Sequence, residues 1–90
     1  MYEASYDTLF RASVAPGGSL TIRELPHTTA VGTTTPETTE PVTIKAKDAK
    51  RIVADLDEVE EFYERESAEF NAVRYWILKR AFEGVSNAAR

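Results

Sequence analysis

The chain has 90 residues, 42% hydrophobic and 29% charged, with no cysteine, one histidine and a formal net charge of −4. That length allows one domain at most, with roughly 60–65% of the unfolded surface buried on folding. The missing cysteines exclude disulfides and thiolate metal ligands, and the acidic balance argues against a general nucleic-acid binder.

Met1-Tyr2-Glu3-Ala4-Ser5 lacks the basic start and apolar run of a secretory leader. No apolar stretch approaches the ~20 residues of a membrane span. A protein that stays in the cytoplasm or is built into a particle is expected, without direct contact to membrane or nucleic acid.

Residues 2–15 carry Tyr2, Tyr6, Leu9, Phe10 and Val14. In their later part Phe10, Ala12 and Val14 alternate with Arg11 and Ser13, which is a strand pattern. Pro16-Gly17-Gly18 is turn chemistry. Beyond it, Leu20 and Ile22 alternate with Thr21 and Arg23. The two runs predict a β-hairpin, which Pro26 ends because proline has no N–H for a ladder.

Residues 27–43 are dominated by Thr, Pro and Gly. They read either as a flexible loop or as an extended arm lying on a neighbouring subunit, since β-branched threonine favours extended backbone. Val42, Ile44 and Ala46 alternate with Thr43, Lys45 and Lys47, giving a third strand candidate. The β element therefore spans roughly residues 8–46.

A helix is predicted over 48–84, with Asp48 as N-cap. Gly84 is its expected stop, Lys79 and Arg80 suit its last turns, and residues 85–90 form a frayed tail. Read as heptads from Ala49, one core position falls on Ala49, Leu56, Tyr63, Phe70 and Ile77. The other falls on Ile52, Val59, Glu66, Val73 and Arg80. Steps of three and four keep these residues on one helical face.

No Gly or Pro interrupts Ala49 to Glu83, so a single helix of ~52 Å is expected. A compact 90-residue domain is only ~30 Å across, so such a helix must protrude or pack on another chain. The competing arrangement is a helical hairpin broken near Glu64–Ser67, with Ser67 capping the second helix. Phe70 stands three residues after Ser67, where a capping box would place Glu or Gln.

The stripe can bury itself on the chain's own sheet or on a partner. Leu56, Val59, Tyr63, Phe70, Val73, Trp76 and Ile77 are the candidate partner-binding residues. Tyr75, Trp76, Ile77 and Leu78 are consecutive and point nearly all round a helix, which one small sheet cannot enclose. Between Asp55 and Glu69 there are eight acids and one base, Arg65. Asp57, Glu58, Glu61 and Glu64 lie behind the stripe. They read as a solvated face or, alternatively, as an acidic surface that mimics a phosphate backbone.

His27 stands alone, without cysteine or a second histidine, so no metal site or catalytic triad is expected. No motif calls for a cofactor, and the exposed carboxylates have no pocket to tune them. The expectation is an α+β fold, with a small antiparallel hairpin or three-stranded element followed by one long C-terminal helix. The expected function is non-enzymatic: a structural or adaptor subunit that self-assembles or docks into a larger complex, such as a virion or multiprotein machine. The alternative is a small acidic inhibitor of a nucleic-acid-binding protein.

Overall fold

A computed structural model describes residues 1–6, 8–25 and 40–88. Most of the Thr-rich tract, with its choice between loop and arm, lies outside the described residues, as do Pro26 and His27. The fold is α+β. Four antiparallel strands, β1 (Tyr2–Ser5), β2 (Leu9–Val14), β3 (Leu20–Leu25) and β4 (Val42–Ile44), lie in the order β1-β2-β3-β4. Two helices follow, α1 (Ala46–Phe62) and α2 (Ala68–Ala88).

The hairpin at Pro16-Gly17-Gly18 is present. Ala15 N–H donates to the Ser19 carbonyl (2.9 Å) and Gly18 N–H to the Ala15 carbonyl (2.8 Å). Gly18 closes the turn at φ +95°, where a Cβ would stand 3.2 Å from Ala46 Cβ. Gly17 has open space where its Cβ would be. Gly18→Ala should therefore cost about 1–2 kcal/mol, and Gly17→Ala should stay within about 0.5 kcal/mol. Urea denaturation of the two variants separates these outcomes.

Among the described residues the sheet has four strands rather than three. Tyr2–Ser5 pairs with Leu9–Val14 in a register that sets Ala4 opposite Phe10 and Tyr2 opposite Ala12. Small Ala4 makes room for Phe10, and an alanine contributes little to a hydrophobic alternation. The sheet presents one apolar face, formed by Ala4, Phe10, Ala12, Leu20, Ile22 and Ile44, all buried. Its other face is polar, with an Arg11–Glu3 ion pair (3.0 Å) and Thr21 beside Thr43 (3.4 Å).

The single long helix is corrected to a helical hairpin. Tyr63 turns extended (φ −104°, ψ 145°). Ser67 N–H donates to the Glu64 carbonyl (3.1 Å), and Glu66 adopts φ 65°. Ser67 Oγ then accepts the Phe70 N–H (3.1 Å), capping α2 without the reciprocal half of a capping box. The reason is tertiary. A broken helix lays both apolar faces on one sheet, and that burial outweighs the few hydrogen bonds a continuous helix would keep through residues 63–67.

The helix ends differ as well. Ala46 opens α1 instead of ending β4, and the cap position is Lys45, with no side-chain cap hydrogen bond. Asp48 sits in the first turn, where its charge suits the helix dipole. Gly84 does not stop α2, which runs on to Ala88. Val85 packs against the core and is no frayed tail.

The stripe keeps its phase on α1, where Ala49, Leu56 and Val59 are buried. On α2 it rotates. The buried residues are Phe70, Arg74, Tyr75, Leu78 and Phe82, not Phe70, Val73, Ile77 and Arg80. The Phe10 ring packs against Tyr75 (5.6 Å) and Phe82 (5.5 Å), which places α2 across the sheet.

Candidate functional site

Breaking the helix removes the excess length that pointed to a partner, but it leaves one face of the hairpin uncovered. Leu56, Val59 and Phe70 are buried within the chain. Trp76 lies about 200° of helical arc from Leu78. Since Leu78 belongs to the buried cluster beside the sheet, Trp76 points outward. It is 53% exposed, Tyr63 is 38% exposed and Phe62 is 72% exposed.

Phe62 and Tyr63 edge a shallow groove between the outer sides of α1 and α2, and Trp76 edges a hollow on α2 that joins it at Val73 and Ile77. Val59, Val73 and Ile77 form its floor, with Asp55, Glu58, Phe62 and Tyr63 along the α1 side. Ala72, Trp76 and Arg80 continue it along α2. Glu64, Ser67 and Glu69 close it at the hairpin turn. Trp76 is held in place from behind, with Lys79 Nζ 4.9 Å from its ring centroid and Tyr75 edge-on at 5.6 Å.

Of the residues singled out in the sequence, Tyr63, Val73, Trp76 and Ile77 come together here, with Val59 beneath them. Leu56 and Phe70 serve the monomer core instead. Phe62 and Ala72 belong to the groove but escape a heptad reading, because the chain turns at Tyr63 and the phase does not carry across. The signal for Phe62 is its position beside Tyr63 at the end of a helical run.

The acidic segment divides. Asp57 accepts a hydrogen bond from the Tyr2 hydroxyl, and Glu60 pairs with Arg74 (3.6 Å). Glu58, Glu61 and Glu64 are exposed. Arg74 is 7% exposed, with its guanidinium 4.9 Å from the Phe70 ring centroid and 5.8 Å from that of Tyr2. Burial lowers the Arg74 pKa from its ordinary value, and the Glu60 charge opposes that shift. This cluster ties β1 to both helices.

The Tyr2 phenol is pushed up to about 12, by burial first and then by the hydrogen bond to Asp57 and the nearby acidic charges. A pKa raised above its unfolded value leaves stability intact below pH ~10 and removes it as pH rises towards about 12. Tyr2→Phe should therefore flatten the fall in Tm between pH 9 and 11 relative to the parent. Parallel curves for the two proteins would show that Tyr2 is uncoupled from folding.

Among the described residues no group of three His, Cys, Asp or Glu is placed to hold a metal ion. No described helix is long and apolar enough to cross a membrane. Comparison of the chain with family models, curated proteins and solved structures finds no match.

Proposed function

We propose that the chain is a non-enzymatic structural or adaptor subunit that works by binding protein through the groove between α1 and α2. The observation that carries this reading is the exposure of Phe62 and Tyr63 on one side, and of Trp76 on the other, of an apolar floor that includes Val73 and Ile77. In a chain that buries Phe10, Phe70, Tyr75 and Phe82, three exposed aromatics along one continuous groove are the kind of surface that becomes a hot spot when covered.

A photo-cross-linking residue replacing Trp76, compared with one replacing Arg23 on the polar sheet face, tests the reading. A covalent adduct is expected from position 76 alone, and its peptides identify the occupant, the chain's own peptides included. Equal yields at the two positions, or none at 76, would remove the groove from consideration.

The exposure of Glu58 and Glu61 on α1, and of Glu64 in the turn just beyond it, supports the second reading, an acidic surface that occupies a basic nucleic-acid groove on another protein. Its rod is limited to the 17 residues of α1, about 25 Å. Under that reading, binding falls steeply between about 50 and 200 mM salt and is lost when the three glutamates become glutamine. Under the docking reading, the apolar floor carries most of the affinity, so both changes weaken binding far less and do not abolish it, since exposed charges contribute about 0–1 kcal/mol each.

A further inference from the structure

Charge along the groove is ordered. Its turn end carries Glu64 and Glu69, and its open end carries Arg80. On α1, Arg51, Asp55, Glu58 and Phe62 follow one another at steps of four, three and four, which places exposed Arg51 on the groove ridge at the open end. The middle is apolar on the α2 side, with Val73, Trp76 and Ile77, and carries Asp55 and Glu58 on the α1 side.

A surface that is acidic at one end and basic at the other is complementary to itself at both ends when turned end for end. We infer that the occupant of the groove is a second copy of this chain, packed face to face about a two-fold axis lying across the helices. This rests on the protein-docking reading above and names its partner.

The axis falls midway between Glu69 and Arg80 on α2. Each copy's Arg80 then meets Glu69 of the other, and Arg51 meets Glu64. Trp76 falls opposite Val73, and Ile77 opposite Ala72, so bulky side chains meet smaller ones. A parallel arrangement would instead set Arg51 against Arg80 and Glu64 against Glu69, four like-charge contacts that oppose it. At the exposures given above, and at ~200 Å² per ring, the three aromatics offer roughly 300 Å² of apolar surface per copy. That is a fair share of the apolar part of a specific interface of ~1,000 Å². Glu58 of the two copies falls near the axis and Asp55 lies one turn away, so these carboxylates are the unfavourable part of the arrangement.

Sedimentation velocity from about 1 to 500 µM in ~50 mM salt tests the inference. The chain should pass from monomer to dimer, and Trp76→Ser should remain monomeric and folded, its thermal melt at ~1 µM within a few degrees of the parent's. Arg80→Glu and Glu69→Arg should each weaken the dimer by about tenfold or more, and an equimolar mixture of the two should restore it, because both contacts then pair opposite charges. Glu58→Gln should tighten the dimer, the reverse of what phosphate mimicry requires.

A chain that stays monomeric overturns the second copy as occupant but leaves the groove to the cross-linking result. A dimer that persists in Trp76→Ser forms through another face and overturns both readings. A mixture that fails to restore association overturns the end-for-end arrangement.

Discussion

Leu56→Ala should lower the folding free energy by about 3 kcal/mol, within the ~2–5 kcal/mol such truncations cost in well-packed cores. Leu56 is fully buried, in one cluster with Leu20, Ile22, Tyr75 and Leu78, so its truncation leaves a cavity under the helical hairpin. A chain of this length has roughly 5–13 kcal/mol of stability in total, so the loss takes a large share of it. Trp76→Ser should change the same free energy by less than about 1 kcal/mol, since half of that side chain already meets water.

Urea denaturation followed by circular dichroism measures both variants. The contrast separates the hairpin from a protruding helix, in which Leu56 would face a partner and its loss would dissociate chains without unfolding them. If Leu56→Ala melted like the parent while Trp76→Ser unfolded, the packing described here would be wrong.

Arg74→Ala should cost about 2–3 kcal/mol, and Arg74→Met less than about 1 kcal/mol. Arg74 is buried, and its Nε makes no hydrogen bond to any described residue. Part of its role is thus packing of the stem and the guanidinium plane against Tyr2 and Phe70. Methionine restores most of that volume and removes a costly buried charge, whereas alanine leaves a void. Glu60 is exposed enough to be resolvated when it loses its partner.

A double-mutant cycle of Arg74→Met with Glu60→Gln should give a coupling near 1 kcal/mol. A coupling of several kcal/mol, with Arg74→Met as damaging as Arg74→Ala, would make the ion pair rather than the packing responsible for holding β1 to the helices.

The candidate site was legible in the sequence only in part. Tyr63, Val73 and Ile77 stood out because bulky apolar residues recurred at helical spacing, and Trp76 because it lies in an apolar run, Tyr75 to Leu78, that points nearly all round a helix. That same spacing assigned Leu56 and Phe70 to a partner surface, since period alone says which residues share a face and not what covers it. Phe62 was invisible until the turn at Tyr63 brought the end of α1 beside the start of α2. The opposite charges at the two ends of the groove likewise became a pattern only once α1 and α2 ran antiparallel, which brought Glu64 beside Glu69 and set Arg51 and Arg80 at the open end.

What the sequence determined by itself was local. Alternation in Phe10–Val14 and Leu20–Ile22, with Pro16-Gly17-Gly18 between them, encodes a hairpin through side-chain period and turn geometry, and neither depends on distant residues. The α+β class followed from the same two periods. The tertiary structure alone decided how the helical half is divided and rotated. No residue between Ala49 and Glu83 is a strong helix breaker. Yet a four-stranded sheet with one apolar face offers more buried area to two short helices than to one long one. Ser67 supplies the cap that makes the break affordable, and the positive φ of Glu66 is a small opposing strain. Once α2 is free to turn about its own axis, it buries Tyr75, Leu78 and Phe82 against Phe10 and the strands. That rotation leaves Trp76 outside, because a helix lying on a sheet can hide only the side that faces it.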